Sequence, residues 1–252
     1  MGHARQQVSI EGIRAAAQIV ARVLDIMGRE VRPGVTTEEL DRLAETVIRD
    51  HGARPAFKGY RGFPASICPS INEEVVHGIP GPRALQDGDI VGIDVGAEIH
   101  GWYGDAAMTY PVGAVSEEAS RLMRVTAEAL ALGIGQARAG NRVGDISHAV
   151  QVHVEEHGYT VVRDLVGHGI GREMHEEPAI PNFGLPGKGP RLVVGQVLAI
   201  EPMVNAGGFA VVTRPDGWTV ATKDGRWSAH FEHTVAVGPE GPEILSVLPD
   251  EQ

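Results

Sequence analysis

Cysteine is nearly absent: Cys68 is alone among 252 residues. A single thiol excludes an intrachain disulfide and any zinc or iron–sulfur site built from cysteines, and it fits a reducing, cytoplasmic setting. Long apolar runs are missing too. The opening Met1-Gly2-His3-Ala4-Arg5-Gln6-Gln7 lacks the apolar stretch of a secretory signal, and no run of about 18 apolar residues follows, so neither export nor membrane spanning is expected. Positive charge is scarce, 22 Lys+Arg against 33 Asp+Glu, leaving a formal net charge of −11. Such a field repels phosphate backbones and anionic headgroups, which argues against stable nucleic-acid or membrane-surface binding.

Several catalytic signatures are absent as well. Gly167-His168-Gly169-Ile170-Gly171 reads G-x-G-x-G rather than G-x-G-x-x-G, and no Lys-Ser/Thr follows it. His175-Glu176-Glu177-Pro178-Ala179 falls short of H-E-x-x-H, and no serine has glycine at both −2 and +2. Phosphate-loop and nucleophilic-serine chemistry therefore lack local support. Glycine (33) and proline (16) are plentiful but sit between periodic segments, implying many turns rather than disorder.

What is present is a repeat, offset by 106 to 107 residues. Ser9 precedes the helical pattern Ile13, Ala17, Val20, Leu24, and Ser116 precedes Leu122, Val125, Ala129, Leu132, so both serines are expected as N-caps. A second helix is predicted after Gly34, opened by the capping box Thr36-Thr37-Glu38-Glu39 and carrying Leu40, Leu43 and Val47; its mate after Gly140 carries Ile146, Ala149, Val150 and Val154. Each ends at a His-Gly pair, His51-Gly52 or His157-Gly158, with the histidine at the negative helix end. Farther on, Gly88-Asp89-Ile90-Val91-Gly92-Ile93-Asp94 aligns with Gly195-Gln196-Val197-Leu198-Ala199-Ile200-Glu201. The expectation is an α+β chain of two pseudo-twofold related α/β halves, about residues 9–113 and 116–238, sharing one curved antiparallel sheet covered by helices. With no Pro/Gly/Ser linker between the halves, a single catalytic domain over 1–252 without an N-terminal extension is expected.

Asp94 and Glu201 close apolar runs that contain no lysine or arginine. An unpaired buried carboxylate costs several kcal/mol or becomes protonated, and a divalent cation is the direct compensation. A pseudo-twofold axis would bring Asp94 to Glu201 and Asp105 to Glu232. His168, delivered by an apolar segment between glycines, is the candidate nitrogen ligand. Four carboxylates and one imidazole are too many for one tetrahedral zinc but suit two divalent ions, and two such ions can lower the pKa of water to about 7. Hydrolysis is the reaction class this favours.

At these residues the sequence resembles the methionine aminopeptidases of the pita-bread, creatinase-like fold, in their short type I bacterial form. The likeness runs from about Ile10 to Leu248. It is carried by Asn72-Glu73-Glu74-Val75-Val76-His77-Gly78-Ile79-Pro80, Asp94 and Asp105, Gly167-His168-Gly169-Ile170-Gly171, His175-Glu176-Glu177-Pro178, Glu201-Pro202-Met203-Val204-Asn205, Asp216-Gly217-Trp218-Thr219-Val220 and Glu232-His233-Thr234. The resemblance implies that Asp94, Asp105, His168, Glu201 and Glu232 bind two divalent ions, whether cobalt, manganese, iron or zinc. A water or hydroxide bridging the two would attack the carbonyl after an N-terminal methionine when the second residue is small. Glu201 would shuttle the proton, Asp94 would help hold the free amine, His175 would donate to the oxyanion, and His77 would contact substrate.

The same resemblance assigns the methionine side-chain pocket to Phe57, Tyr60, Phe63, Cys68, Met174 and Trp218, apolar and aromatic groups suited to a thioether. Phe63 stands where tyrosine is usual, and Met174 where an aromatic residue often precedes the second histidine. Asn72 and Ser228 match positions flanking a monovalent cation, sodium or potassium. The implied partners are nascent polypeptide N-termini beginning with methionine, with transient ribosome proximity, and the implied state is a monomer. A prolidase or aminopeptidase P of the same fold is disfavoured, because fewer than 90 residues precede the strand of Asp94. A non-catalytic scaffold is disfavoured by the complete set of five ligand positions.

Overall fold

The computed structural model describes residues 2–248, with side chains from Ile10 onward. Helices α1 (Gly2–Glu30) and α2 (Thr37–Asp50) belong to the first half, and α3 (Glu117–Gly135) and α4 (Val143–Glu156) to the second. Ser9 is not the N-cap that the repeat suggested, because α1 runs through it from Gly2. Ala4, Arg5, Gln6 and Gln7 are good helix formers and no proline interrupts them, so a lone serine does not start the helix. The other caps form as expected. Thr36 Oγ1 accepts from Glu39 N at 3.3 Å while Glu39 Oε2 accepts from Thr36 N at 2.8 Å. Ser116 Oγ accepts from Ala119 N at 3.1 Å. His51 and His157 each donate Nδ1–H to the carbonyl four residues earlier, both at 2.7 Å, satisfying helix-end acceptors.

In the first half the strand Ile90–Ile99 pairs antiparallel with Trp102–Pro111 and, on its other side, with Ile67–Ile71. The hairpin turns at His100 and Gly101, both at positive φ (54° and 77°), the backbone that a two-residue loop between right-twisted strands demands. Val20, Leu24 and Met27 of α1 and Leu40 and Ile48 of α2 bury against Ile93 and Val95 of this ladder. The second half is built alike: Val197–Ile200 pairs with His233–Val237 and with Val166–Gly169, under Leu130, Ile134 and Ile146 of α3 and α4.

The two ladders meet at a narrow seam rather than along a full strand. Ala107 and Glu232 form a backbone bridge there, Glu232 N donating to Ala107 O at 2.8 Å and Ala107 N to Glu232 O at 3.3 Å, and farther along the same strand Tyr103 N donates to Gly171 O at 3.0 Å. Two buried threonines extend it with their hydroxyls. Thr109 Oγ1 donates to His230 O (2.7 Å) and accepts from His230 N (3.0 Å), and Thr234 Oγ1 donates to Asp105 O (2.6 Å) and accepts from Asp105 N (3.0 Å). Each half thus lends one hydroxyl to the other's backbone, satisfying the N–H and C=O of His230 and of Asp105. Between Ile200 and His233 the second half inserts further short strands, Met203–Asn205, Val211–Thr213, Val220–Thr222 and Ser228–His230. Among the described residues no helix is long and apolar enough to cross a membrane.

Candidate metal centre

Register places the acids. Asp94 faces Ala107 and Gly96 faces Asp105, so Asp94 and Asp105 are diagonal neighbours on one face of the hairpin. Ile200 faces His233, and Glu201 and Glu232 lie one step beyond that pair. All four acids and His168 line a single cleft. Ligand atoms of Asp105, His168 and Glu232 lie within 4.8 Å of one another. His168 donates Nδ1–H to Gly169 O at 2.9 Å, which leaves Nε2 as a bare donor 3.9 Å from Asp105 Oδ2 and 3.6 Å from Glu201 Oε1. The flanking glycines have a packing reason: a Cβ on Gly167 would strike the Ala199 carbonyl, and one on Gly169 the Glu177 carbonyl. Neighbouring strands, not a ligand, set that requirement.

This cluster is electrostatically incomplete as protein alone. No lysine or arginine pairs with any of the four acids among the described residues, and Asp94 Oδ1, Asp105 Oδ1 and Glu232 Oε1 are buried without a hydrogen-bond partner. Burial pushes the carboxyls of Asp94, Asp105, Glu201 and Glu232 upward, and neighbouring acids push Asp105, Glu201 and Glu232 further. Burial pulls His168 down, keeping it neutral and able to ligate. Four carboxylates and a neutral imidazole make an oxygen-rich set whose charge two divalent cations balance, and the orphaned oxygens are where such ions fit.

Above the acids the walls change character. Phe57, Phe63, Cys68 and Met174 are buried side by side, with Tyr60 and Trp218 against them. Phe63 meets Trp218 edge to face at 5.1 Å. Burial and the nearby carboxylates push the Cys68 thiol far above its usual range, so it is a wall and not a nucleophile. His175 sits at the mouth with its ring turned inward, stacked on Tyr60 at 5.3 Å and 4.3 Å from the His168 ring. Its Nδ1 shares a 2.9 Å hydrogen bond with the Tyr60 hydroxyl. Burial first, then His168, Arg61 and His77, lower its pKa to about 4, so it is neutral near pH 7. His77 holds a left-handed backbone (φ 60°) edge-on to Trp218, a conformation costly for a non-glycine residue and common at functional sites.

Every residue expected for the metal cage, the catalytic pair and the thioether pocket therefore lines this one cleft. Asn72 and Ser228 do not line it. They adjoin each other, Ser228 N donating to Asn72 O at 2.8 Å, and their side chains are engaged by Asp89, Ile90, Val204 and Asn205. Two residues at the site escaped sequence reasoning. Arg61 lines the mouth at positive φ, its guanidinium 5.3 Å from the Tyr60 ring centre. His230 is buried, with Nε2 unpartnered and 3.9 Å from Glu201 Oε2, and burial lowers its pKa to about 3. His230 ends the three-residue strand Ser228–His230, too short for alternation to mark it in the sequence.

The sequence pattern of metallopeptidase family M24 matches residues 11–239. The chain belongs to that family. As an M24 protein it has the family's pita-bread fold, two α/β halves around a shared antiparallel core. It is 54% identical to the methionine aminopeptidase of Clostridium perfringens over 97% of this chain and 98% of that one. It superposes on the crystal structure of methionine aminopeptidase from Rickettsia prowazekii with a TM-score of 0.94 and 45% identity, covering 96% of this chain and 98% of that one. The prolidase of Pyrococcus furiosus shares the fold alone, at TM-score 0.78 and 23% identity, covering 94% of this chain and 63% of that one.

Proposed function

We propose that this M24 chain is a metal-dependent exopeptidase that removes the N-terminal methionine from peptides and nascent proteins whose second residue is small. The observation that carries the reading is the convergence of four acids, Asp105 and Glu232 buried and Asp94 and Glu201 half-buried, none paired with lysine or arginine, and one imidazole in a cleft walled by Phe57, Tyr60, Phe63, Cys68, Met174 and Trp218. Asp94, Asp105, His168, Glu201 and Glu232 hold two divalent ions, of cobalt, manganese, iron or zinc. When bound, such ions supply Lewis-acid polarisation and lower the pKa of an attacking water to about 7.

The chain's own groups do the rest. Glu201 takes the proton of the attacking water and passes it to the leaving amine, while Asp94 helps hold the substrate's free amine. Tyr60 donates to Nδ1 of neutral His175, which fixes the tautomer that presents Nε2–H to the developing oxyanion. His77 contacts the substrate from the Trp218 side. The apolar walls accept an unbranched thioether and keep water from it. Asn72 and Ser228 hold a monovalent cation, sodium or potassium. The chain acts as a single domain and a monomer in the cytoplasm, near the ribosome where nascent N-termini emerge.

Incubating metal-loaded protein with Met-Ala-Ser, Leu-Ala-Ser and Ala-Pro peptides, with and without chelator, tests this. Methionine release confined to the first peptide and abolished by chelation is the expected result. Cleavage of Ala-Pro would instead mark a proline-directed peptidase, and absence of turnover with every metal would mark a scaffold.

A further inference from the structure

The second helices of the two halves end alike but carry different side chains. His51 closes α2 and His157 closes α4 through the same Nδ1–H bond to a backbone carbonyl. Four residues back, α2 has Val47 where α4 has His153, and α3 offers Glu128 where the matching stretch of α1, Ala21-Arg22, offers no carboxylate. Helix capping explains His51 and His157; it does not explain His153 or Glu128. We infer that Glu128, His153 and His157 form a second, solvent-facing site for a zinc-class transition-metal ion, joining the end of α4 to α3 and separate from the buried cage.

The geometry supports a chelate. Residues at i and i+4 share a helix face, and the two imidazole centres stand 4.4 Å apart. Ligand atoms of all three residues lie within 4.8 Å of one another. The Nδ1–H bond of His157 puts its proton on that nitrogen and leaves Nε2 bare, the arrangement found for metal-bound histidines whose other nitrogen is held by a carbonyl. His153 Nε2 lies 3.0 Å from Glu128 Oε2. Two ligands of one tetrahedral zinc, each at about 2.0–2.1 Å, stand about 3.3 Å apart, so this pair already has nearly the required spacing. Binding exchanges the His153 Nε2 proton for the ion.

Nearby cations do not block the site. Arg124 is 4.0 Å from Glu128 and exposed, a weak competitor. Arg121 is engaged elsewhere, donating to the His157 carbonyl at 2.8 Å with its guanidinium over the Tyr159 ring. Two imidazoles and a carboxylate favour zinc, copper or nickel over magnesium or calcium, and water completes the shell. None of the three residues lines the cleft, so this inference stands or falls apart from the peptidase reading.

Untagged, chelator-stripped protein dialysed against micromolar Zn²⁺ and measured by atomic emission tests it. Wild type should hold one zinc ion per chain more than the double variant His153→Ala/His157→Ala. Glu128→Gln should weaken that extra ion at least about tenfold. A far-UV circular dichroism spectrum and a cooperative thermal melt matching wild type show that the double variant folds, whatever the protein's activity. Equal zinc content in wild type and the double variant overturns the site, as does an extra ion whose affinity is unchanged by Glu128→Gln.

Discussion

The two halves deliver their acids by different routes. In the first, a two-residue turn at His100-Gly101 joins the strands of Asp94 and Asp105. In the second, residues 201–232 separate the strands next to Glu201 and Glu232, and that insertion brings in Trp218 and His230. His168 and His175 also come from the second half. Repetition thus accounts for an almost symmetric cage of negative oxygens, while the imidazoles around it are unequally shared, His168, His175 and His230 from the second half against His77 from the first. A substrate meeting such a cleft is oriented by the asymmetry and activated by the symmetric part.

The sharpest way to break this comparison is to remove one acid from each half. Asp105→Asn and Glu232→Gln should each lower kcat by roughly 10³-fold or more and cut bound metal in parallel, since each deletes a cation's charge partner. If one half tolerates its loss within tenfold, the acids do not act as a matched set. On the asymmetric side, His175→Ala should cost about 10²–10³-fold in kcat with little change in KM. Tyr60→Phe should cost about tenfold or less, since it removes only the bond to Nδ1.

Metal removal should turn the cage from a binding site into a liability with a definite pH dependence. The four carboxyls have folded pKa values raised by burial, so the folded chelated protein binds more protons than the unfolded chain. Their contribution is fully present below the ordinary carboxylate range, near about 4, and is lost as pH rises through the raised values. The thermal midpoint of chelated protein relative to metal-loaded protein should therefore fall between pH 4 and pH 8, scales that a melting series resolves. A gap that narrows with rising pH would contradict it.

The smallest effects separate the helix starts of the two halves. Thr36→Ala removes the side-chain half of the capping box and should cost about 1 kcal/mol in urea denaturation. Arg142→Ala at the start of α4 keeps its backbone bond to Asp145 and should cost under about 0.5 kcal/mol.

Much of this is legible in the sequence. Asp94 and Glu201 showed themselves because a charge closing an apolar strand needs a partner, and no local residue offered one. Helix α2 was readable because its cap is a local pattern. Ser9 misled because a serine can cap or sit within a helix, and the residues before it decide which. The Tyr60–His175 bond spans 115 positions and leaves no periodic trace. Arg61 was hidden by its surroundings, since an arginine in a glycine-rich turn reads as a solvated loop residue. The inserted strands between Ile200 and His233 are too short for alternation to announce them.

Glu232 has a double duty. Its main chain bridges the two ladders while its carboxylate lines the cleft. Prying the ladders apart at this point would displace one acid of the cage, so the join between the halves and the integrity of the site are the same contact. Tyr60, Arg61 and His175 line the same cleft without taking part in that bridge, so substitutions there leave the join between the ladders untouched.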